Sequence, residues 1–73
     1  MISYRPLWAI MEEKGITTYR LINQGIDSRT ISNLKHNQNI TMLTAEKLCR
    51  IIGCEIQDLV EFVEEEQDIE QKK

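Results

Sequence analysis

The sequence predicts a compact all-α domain made of five short helices. Apolar residues recur at helical spacing through most of the 73 residues, and no segment shows the alternation that is typical of a half-buried strand. Capping residues at helix starts alternate with glycines at helix ends, which divides the chain into short helices. At this length the chain forms one domain with a single small core.

Helix 1 is predicted from Arg5 to Lys14, because Pro6 suits the first turn of a helix and Gly15 suits its end. Its apolar stripe is Leu7, Trp8 and Met11, which Tyr4 extends. We therefore expect Trp8 to lie against the core rather than to stack on a nucleic-acid base.

Helices 2 and 3 are predicted to form a helix-turn-helix that includes residues 21–35, LINQGIDSRTISNLK. Thr17 and Asp27 are suitable N-caps for the two helices. Gly25 between them suits a left-handed helix end, since it has no Cβ. The apolar residues that we expect to face the core are Leu21, Ile22, Ile31 and Leu34.

Helix 4 is predicted to begin after Thr41, an N-cap, and to end near Ile52, before Gly53. Helix 5 is predicted to begin near Glu55, because Ile56, Leu59, Val60 and Val63 follow amphipathic helical spacing. Residues 1–65 are assigned to the folded domain. Residues 66–73 are assigned to an acidic tail, which we expect to be disordered because it has few apolar residues.

The side of helix 3 that faces away from the core is small or polar and has no acidic group. Its residues are Ser28, Arg29, Thr30, Ser32, Asn33 and Lys35. Base edges in the major groove of DNA present donors and acceptors to side chains of this kind. A helix face that is merely solvated usually includes glutamates. The pattern therefore favours reading of double-stranded DNA by helix 3.

The net charge of −3 is unevenly distributed. Residues 1–60 carry seven Lys/Arg and six Asp/Glu, a net +1, whereas residues 61–73 carry two Lys and six Asp/Glu, a net −4. The basic footprint is modest for a DNA-binding protein. We therefore expect affinity to come from shape and dimerisation more than from bulk charge.

Other classes of function find little support in the sequence. Cys49 and Cys54 lack the further ligands that a zinc site needs, so we expect reduced thiols and no metal. No nucleophile and base have a recognisable spacing, and so small a core leaves no room for a cofactor, so we expect no enzymatic activity. No signal peptide or membrane-spanning segment is recognisable, which favours a cytoplasmic protein without membrane contacts.

The order and spacing of these elements resemble the Cro/cI-type (lambda-repressor-like, or XRE) DNA-binding domain. The resemblance covers about Arg5 to Val63. It rests on GITTYRLINQGIDSRTISNLK, the polar loop HNQN, and ITMLTAEKLCRIIGCEIQDLVEFV, and is closest to small single-domain bacterial and phage regulators. Two departures are Ile22, where the family usually has a small residue, and a segment from Leu21 to Ile31 that is one residue shorter than in better-known repressors.

The resemblance implies that residues near the start of helix 3 read bases: Ser28, Arg29, Thr30 and Asn33. The Arg29 fork matches O6 and N7 of guanine, the Asn33 amide matches N6 and N7 of adenine, and Thr30 can contact a thymine methyl. Phosphate contacts are expected from both ends of the helix-turn-helix, at Thr17, Thr18, Tyr19, Lys35, His36, Asn37 and Asn39.

One reading helix covers only a few base pairs. The family's usual solution is a homodimer on a palindromic operator whose half-sites lie about one DNA turn apart. We expect Phe62 and Val63, near the end of helix 5, to form the dimer contact. The leading interpretation is a transcription regulator that represses by occupying a promoter. The alternative is an antitoxin or another protein-interaction module whose acidic C-terminal helix and tail bind a protein partner.

Overall fold

The computed structural model describes residues 1–64, which form four α-helices, one 3₁₀-helix and a pair of short strands. The α-helices are Arg5–Lys14 (α1), Thr18–Asn23 (α2), Ser28–Lys35 (α3) and Met42–Ile52 (α4). The 3₁₀-helix is Ile56–Asp58, and the antiparallel strands are Ile2–Ser3 (β1) and Glu61–Phe62 (β2). The predicted tail, residues 66–73, lies outside the described residues. No helix within residues 1–64 has the length and apolar character to cross a membrane.

The centre of the core is built from one leucine of each α-helix and one leucine that follows the 3₁₀-helix. These fully buried residues are Leu7, Leu21, Leu34, Leu48 and Leu59. Full burial of a leucine stabilises a fold by about 1.5–3 kcal/mol. Because α2 has only six residues, it is too short to be stable alone, and packing against this core holds it in place.

Three helices begin at the N-caps that the sequence predicts. The side-chain oxygens of Thr17, Asp27 and Thr41 each accept a hydrogen bond from the amide three residues later, at 3.3, 2.9 and 3.1 Å. Each bond satisfies one of the amides that a helix start leaves without a partner. The caps therefore fix where α2, α3 and α4 begin.

The turn of the helix-turn-helix is a Schellman motif centred on Gly25. The Ile26 amide donates to the Leu21 carbonyl at 3.0 Å, and the Gly25 amide donates to the Ile22 carbonyl at 3.0 Å. Gly25 has a φ of 107°, a conformation that a side chain disfavours. Ile26 and Leu21 are both buried, so an apolar contact accompanies the hydrogen bonds.

The end of α3 is tied to the N-terminal segment of the chain. Asn37 has a φ of 56°, and its side-chain oxygen accepts a hydrogen bond from the Tyr4 amide at 3.1 Å. The Tyr4 hydroxyl donates to the Gln38 carbonyl at 2.7 Å. Tyr4 thus joins the core to the loop that follows α3.

The prediction of a fifth α-helix differs from the structure. Ile56–Asp58 forms a 3₁₀-helix, and the chain then extends into β2, where Phe62 faces Ile2 across the strand pair. Leu59 is buried, as the helical spacing predicted, but Val63 belongs to the extended segment. The strand that pairs with β2 is β1, about sixty residues earlier in the sequence. The local spacing of apolar residues cannot predict such a pairing.

One predicted core position is also wrong, since Ile22 is 44% exposed. Adjacent residues of a helix point about 100° apart, so Leu21 occupies the core and its neighbour Ile22 does not. Trp8 packs against the core and is half-buried, in agreement with the sequence.

The hydroxyl of Tyr4 provides a test of the link between the N-terminal segment and the loop after α3. Tyr4→Phe should lower the free energy of unfolding by about 0.5–1.5 kcal/mol, because it removes one hydrogen bond from a largely buried ring. Tyr4 is 2% exposed and Tyr19 is 72% exposed. Tyr19→Phe is therefore the matched control, with no expected change. Urea unfolding followed by circular dichroism measures both, and equal stabilities would contradict the role of the hydroxyl.

The thiols of Cys49 and Cys54 are free and half-buried near the end of α4. Burial raises the pKa of both thiols, and it raises that of Cys54 to about 11. No group of three or more metal-ligating side chains occurs within residues 1–64. The two residues therefore behave as small apolar groups whose neutral form the fold favours.

The raised pKa of Cys54 predicts a loss of stability at alkaline pH. The unfolded thiol ionises near its ordinary value of 9.0, whereas the folded thiol stays protonated until about 11. The folded state binds more protons in this window, so its stability falls as the pH rises. Urea midpoints should fall more for wild type than for Cys54→Ala between about pH 8 and about pH 10.5. An identical pH dependence would show that the thiol contributes nothing.

Candidate nucleic-acid interface

The polar side of α3 faces solvent because Ile31 and Leu34 hold its other side in the core. The exposed residues of α3 are Ser28, Arg29, Ser32 and Lys35, and Thr30 and Asn33 are half-exposed. α3 itself contains no acidic residue. The structure therefore places the four predicted base-reading residues on one accessible helix.

The start of α3 combines a capping carboxylate with a neighbouring cation. Hydrogen bonds from Thr30, whose amide lies 2.9 Å from Oδ1, hold the pKa of the Asp27 carboxyl below its usual range. The nearby charge of Arg29 acts in the same direction. The Thr30 side chain is partly occupied by this cap, which leaves its methyl group as the freer contact.

Arg29 is well placed to bind a partner outside the chain. Its guanidinium forms no hydrogen bond or salt bridge with another residue in the described part of the chain. The guanidinium has five N–H donors in a fixed planar arrangement. In the free protein these donors face water and remain available.

Asn33 lies four residues after Arg29, on the same face of α3. His36, at the end of α3, lies three residues after Asn33. The Asn33 side-chain nitrogen donates to the Asn39 carbonyl at 3.4 Å, a long hydrogen bond. His36 Nδ1 lies 2.9 Å from the Ser32 carbonyl, so the protonated Nδ1 donates there and Nε2 is left for another partner. Asn33 therefore links the polar face of α3 to the loop that follows this helix.

Two of the predicted phosphate contacts also have a role in the fold. Thr17 caps α2, and Asn37 accepts the Tyr4 amide while adopting a left-handed backbone. Asparagine directly after a predicted helix end is a sequence signal for this backbone conformation. Tyr19 and Lys35 are exposed, and Thr18 is half-exposed.

Lys14 does not contribute a free cation to this interface. Its ammonium donates to the carbonyls of Ile52 and Gly53, both at 3.1 Å, where α4 ends. A cation at this position also interacts favourably with the helix dipole. The basic residues left between residues 15 and 39 are Arg20, Arg29 and Lys35.

These elements match a known family of domains. The family model of the Cro/C1-type HTH DNA-binding domain matches residues 6–65, which is most of the chain. The chain belongs to this family. Membership confirms the resemblance read from the sequence and makes this Cro/C1-type domain a DNA-binding module, a class that is not typically enzymatic.

A comparison of folds agrees with the family. The crystal structure of transcriptional regulator VanUg, form II, is similar with a TM-score of 0.80. The two chains share 23% identity, over 88% of this Cro/C1-type domain and 87% of the other chain. At this identity the likeness shows a common fold. The curated proteins include no significant match.

Proposed function

We propose that this domain is a sequence-specific transcription regulator that reads the major groove of double-stranded DNA with α3. The observation that carries the proposal is the exposed, acid-free face of α3, which is held in register by Ile31 and Leu34. Family membership supports DNA binding. The VanUg structure, a transcriptional regulator by its title, supports the regulatory role.

Within this proposal, bases are read by Ser28, Arg29, Thr30 and Asn33. Arg29 binds a guanine through O6 and N7, because its donors are free in the unbound protein. Asn33 pairs with an adenine once its long bond to the Asn39 carbonyl is exchanged for the base. The Thr30 methyl contacts a thymine, and Ser28 bonds to a neighbouring base edge.

The backbone of DNA is held from the two ends of the helix-turn-helix. Thr17, Thr18 and Tyr19 contact phosphates at the start of α2. At the end of α3 the contacts come from Lys35, His36, Asn37 and Asn39. Few of these residues are charged, so binding depends on salt less steeply than in a strongly basic DNA-binding protein.

A homodimer provides the second reading helix that a palindromic operator needs. Phe62 is 84% exposed, an unusual position for a large aromatic side chain on a soluble domain. Val63 is half-buried, and its amide already donates to the Met1 carbonyl. Phe62 is therefore the centre of the proposed dimer contact, with Val63 beside it. The dimer represses by occupying a promoter.

The rival function is binding of another protein, as in an antitoxin. The net charge of −4 on residues 61–73 and the exposed Phe62 favour it. An acidic segment next to an apolar side chain suits a basic, amphipathic partner. The two functions differ in whether the free chain selects a DNA sequence.

Selection from a randomised duplex library at moderate salt separates these functions. The proposal predicts enrichment of a palindrome whose half-sites lie about ten base pairs apart. Anisotropy titration of the enriched duplex against a scrambled duplex then gives the specificity ratio. Weak, salt-sensitive binding without enrichment would overturn the proposal and would direct the search to a protein partner.

Arg29→Ala should weaken binding of the selected duplex by about 1–3 kcal/mol and relax preference at one base pair. The matched control is Arg50→Ala, since Arg50 lies on α4 and forms an exposed ion pair with Glu46 at 3.1 Å. The control should change affinity little. Anisotropy titrations of both variants measure the effect, and wild-type affinity in Arg29→Ala would contradict base reading by this residue.

A further inference from the structure

The two cysteines occupy paired positions in the turn that ends α4. Gly53 has a left-handed backbone with a φ of 81°, and the Cys54 amide donates to the Cys49 carbonyl at 3.0 Å. In a helix end of this kind, the two residues joined by that bond bring their side chains into contact. The thiols of Cys49 and Cys54 also interact by a hydrogen bond, which affects the pKa of each. Their sulfur atoms are therefore neighbours.

Both sulfur atoms can be reached from solvent. Cys49 and Cys54 are free and half-buried, and they line the same surface pocket of about 270 Å³. Glu46 and Glu55 line this pocket too, and both are exposed. A small ligand that enters the pocket can therefore contact the two sulfur atoms at once.

The surroundings of the two thiols carry negative charge. Burial is the main cause of the raised pKa of both thiols, and nearby carboxylates add to it. Glu55 and Asp58 act on Cys49, and Asp58 also acts on Cys54, where the charge of Lys14 opposes it. These charges disfavour two bare thiolates and favour a cation that replaces the two protons.

We propose that Cys49 and Cys54 chelate one soft divalent cation that accepts two sulfur ligands, as Hg(II) does. The two S–H bonds break, two sulfur–metal bonds form, and two protons leave, with no change of oxidation state. Thiolates are soft ligands and select soft metals. Zinc does not fit, because its protein sites need about four ligands, and residues 1–64 contain no group of three or more histidine, cysteine or carboxylate ligands.

The balance of charge selects a divalent cation. Two thiolates and one divalent cation have no net charge, which suits a half-buried place beside Glu55 and Asp58. A monovalent cation would leave one negative charge there. Formation of a Cys49–Cys54 disulfide needs an attacking thiolate, which the raised pKa of both thiols disfavours at neutral pH. The pair is therefore better suited to a neutral metal complex than to oxidation.

A bound ion would fasten the end of α4. It closes a ring that includes residues 49–54, and within this ring the carbonyls of Ile52 and Gly53 accept hydrogen bonds from Lys14. None of the residues that line the pocket belongs to α2 or α3. The inference goes beyond the proposed function and does not depend on DNA reading.

Titration of the reduced full chain with mercuric chloride in the absence of oxygen tests the site. Mercuric chloride and two thiols give the neutral dithiolate, two protons and two chloride ions, so we expect two protons released per ion. Native mass spectrometry should show one ion per chain, and sedimentation should show no new oligomer. Zinc chloride at the same micromolar concentration is the control and should not bind.

Cys49→Ser and Cys54→Ser each leave one thiol and should weaken binding about 10²–10⁴-fold, because the chelate is lost. Competition with a monothiol such as glutathione measures the affinity. The matched control is Met42→Leu, which alters the lining of the same pocket and keeps both thiols, and which should bind like wild type.

Four results would overturn the inference: two ions per chain, one proton released per ion, an ion that joins two chains, or wild-type affinity in either folded serine variant. If a serine variant does not fold, the numbers of ions and protons in wild type decide. Each measurement is made without DNA, so the outcome is independent of the selection of a DNA sequence.

Discussion

The packing of five leucines, one from each of the four α-helices and one from the segment after the 3₁₀-helix, is the interaction on which the rest of this structure depends. None of the helices exceeds eleven residues, and helices of this length are marginal in water. The leucines therefore do more than exclude water, because they make each helix stable by joining it to the others. The burial of Leu34 also determines which face of α3 is exposed to solvent.

The second constraint is the link between the chain's first residues and the loop that follows α3. Tyr4 contacts this loop through its amide and its hydroxyl, and the loop in turn reaches Asn33 on α3 through the Asn39 carbonyl. The same N-terminal segment forms β1 and pairs with β2. The polar face of α3 and the strand pair are therefore connected through a few hydrogen bonds.

Some charged side chains stabilise the fold, whereas others are exposed on the surface of α3. Lys14 is used to bind the carbonyls at the end of α4, and Asp27 is used to cap α3. Arg29 and Lys35, by contrast, remain exposed on α3. The overall charge of −3 thus says little about the interface, since specific recognition of DNA depends on local donors and acceptors more than on net charge.

The sequence by itself determined the four α-helices, the N-caps of α2, α3 and α4, and the buried side of α3. Capping is a local hydrogen bond, and the periodicity of Ile31 and Leu34 is a local pattern, so both can be read along the chain. Only the tertiary structure decided that the predicted fifth helix is a 3₁₀-helix and a strand, and that Asn37 binds the Tyr4 amide. These features depend on contacts between residues that are far apart in the sequence. The spacing of apolar residues along the chain predicts local structure and cannot predict such contacts.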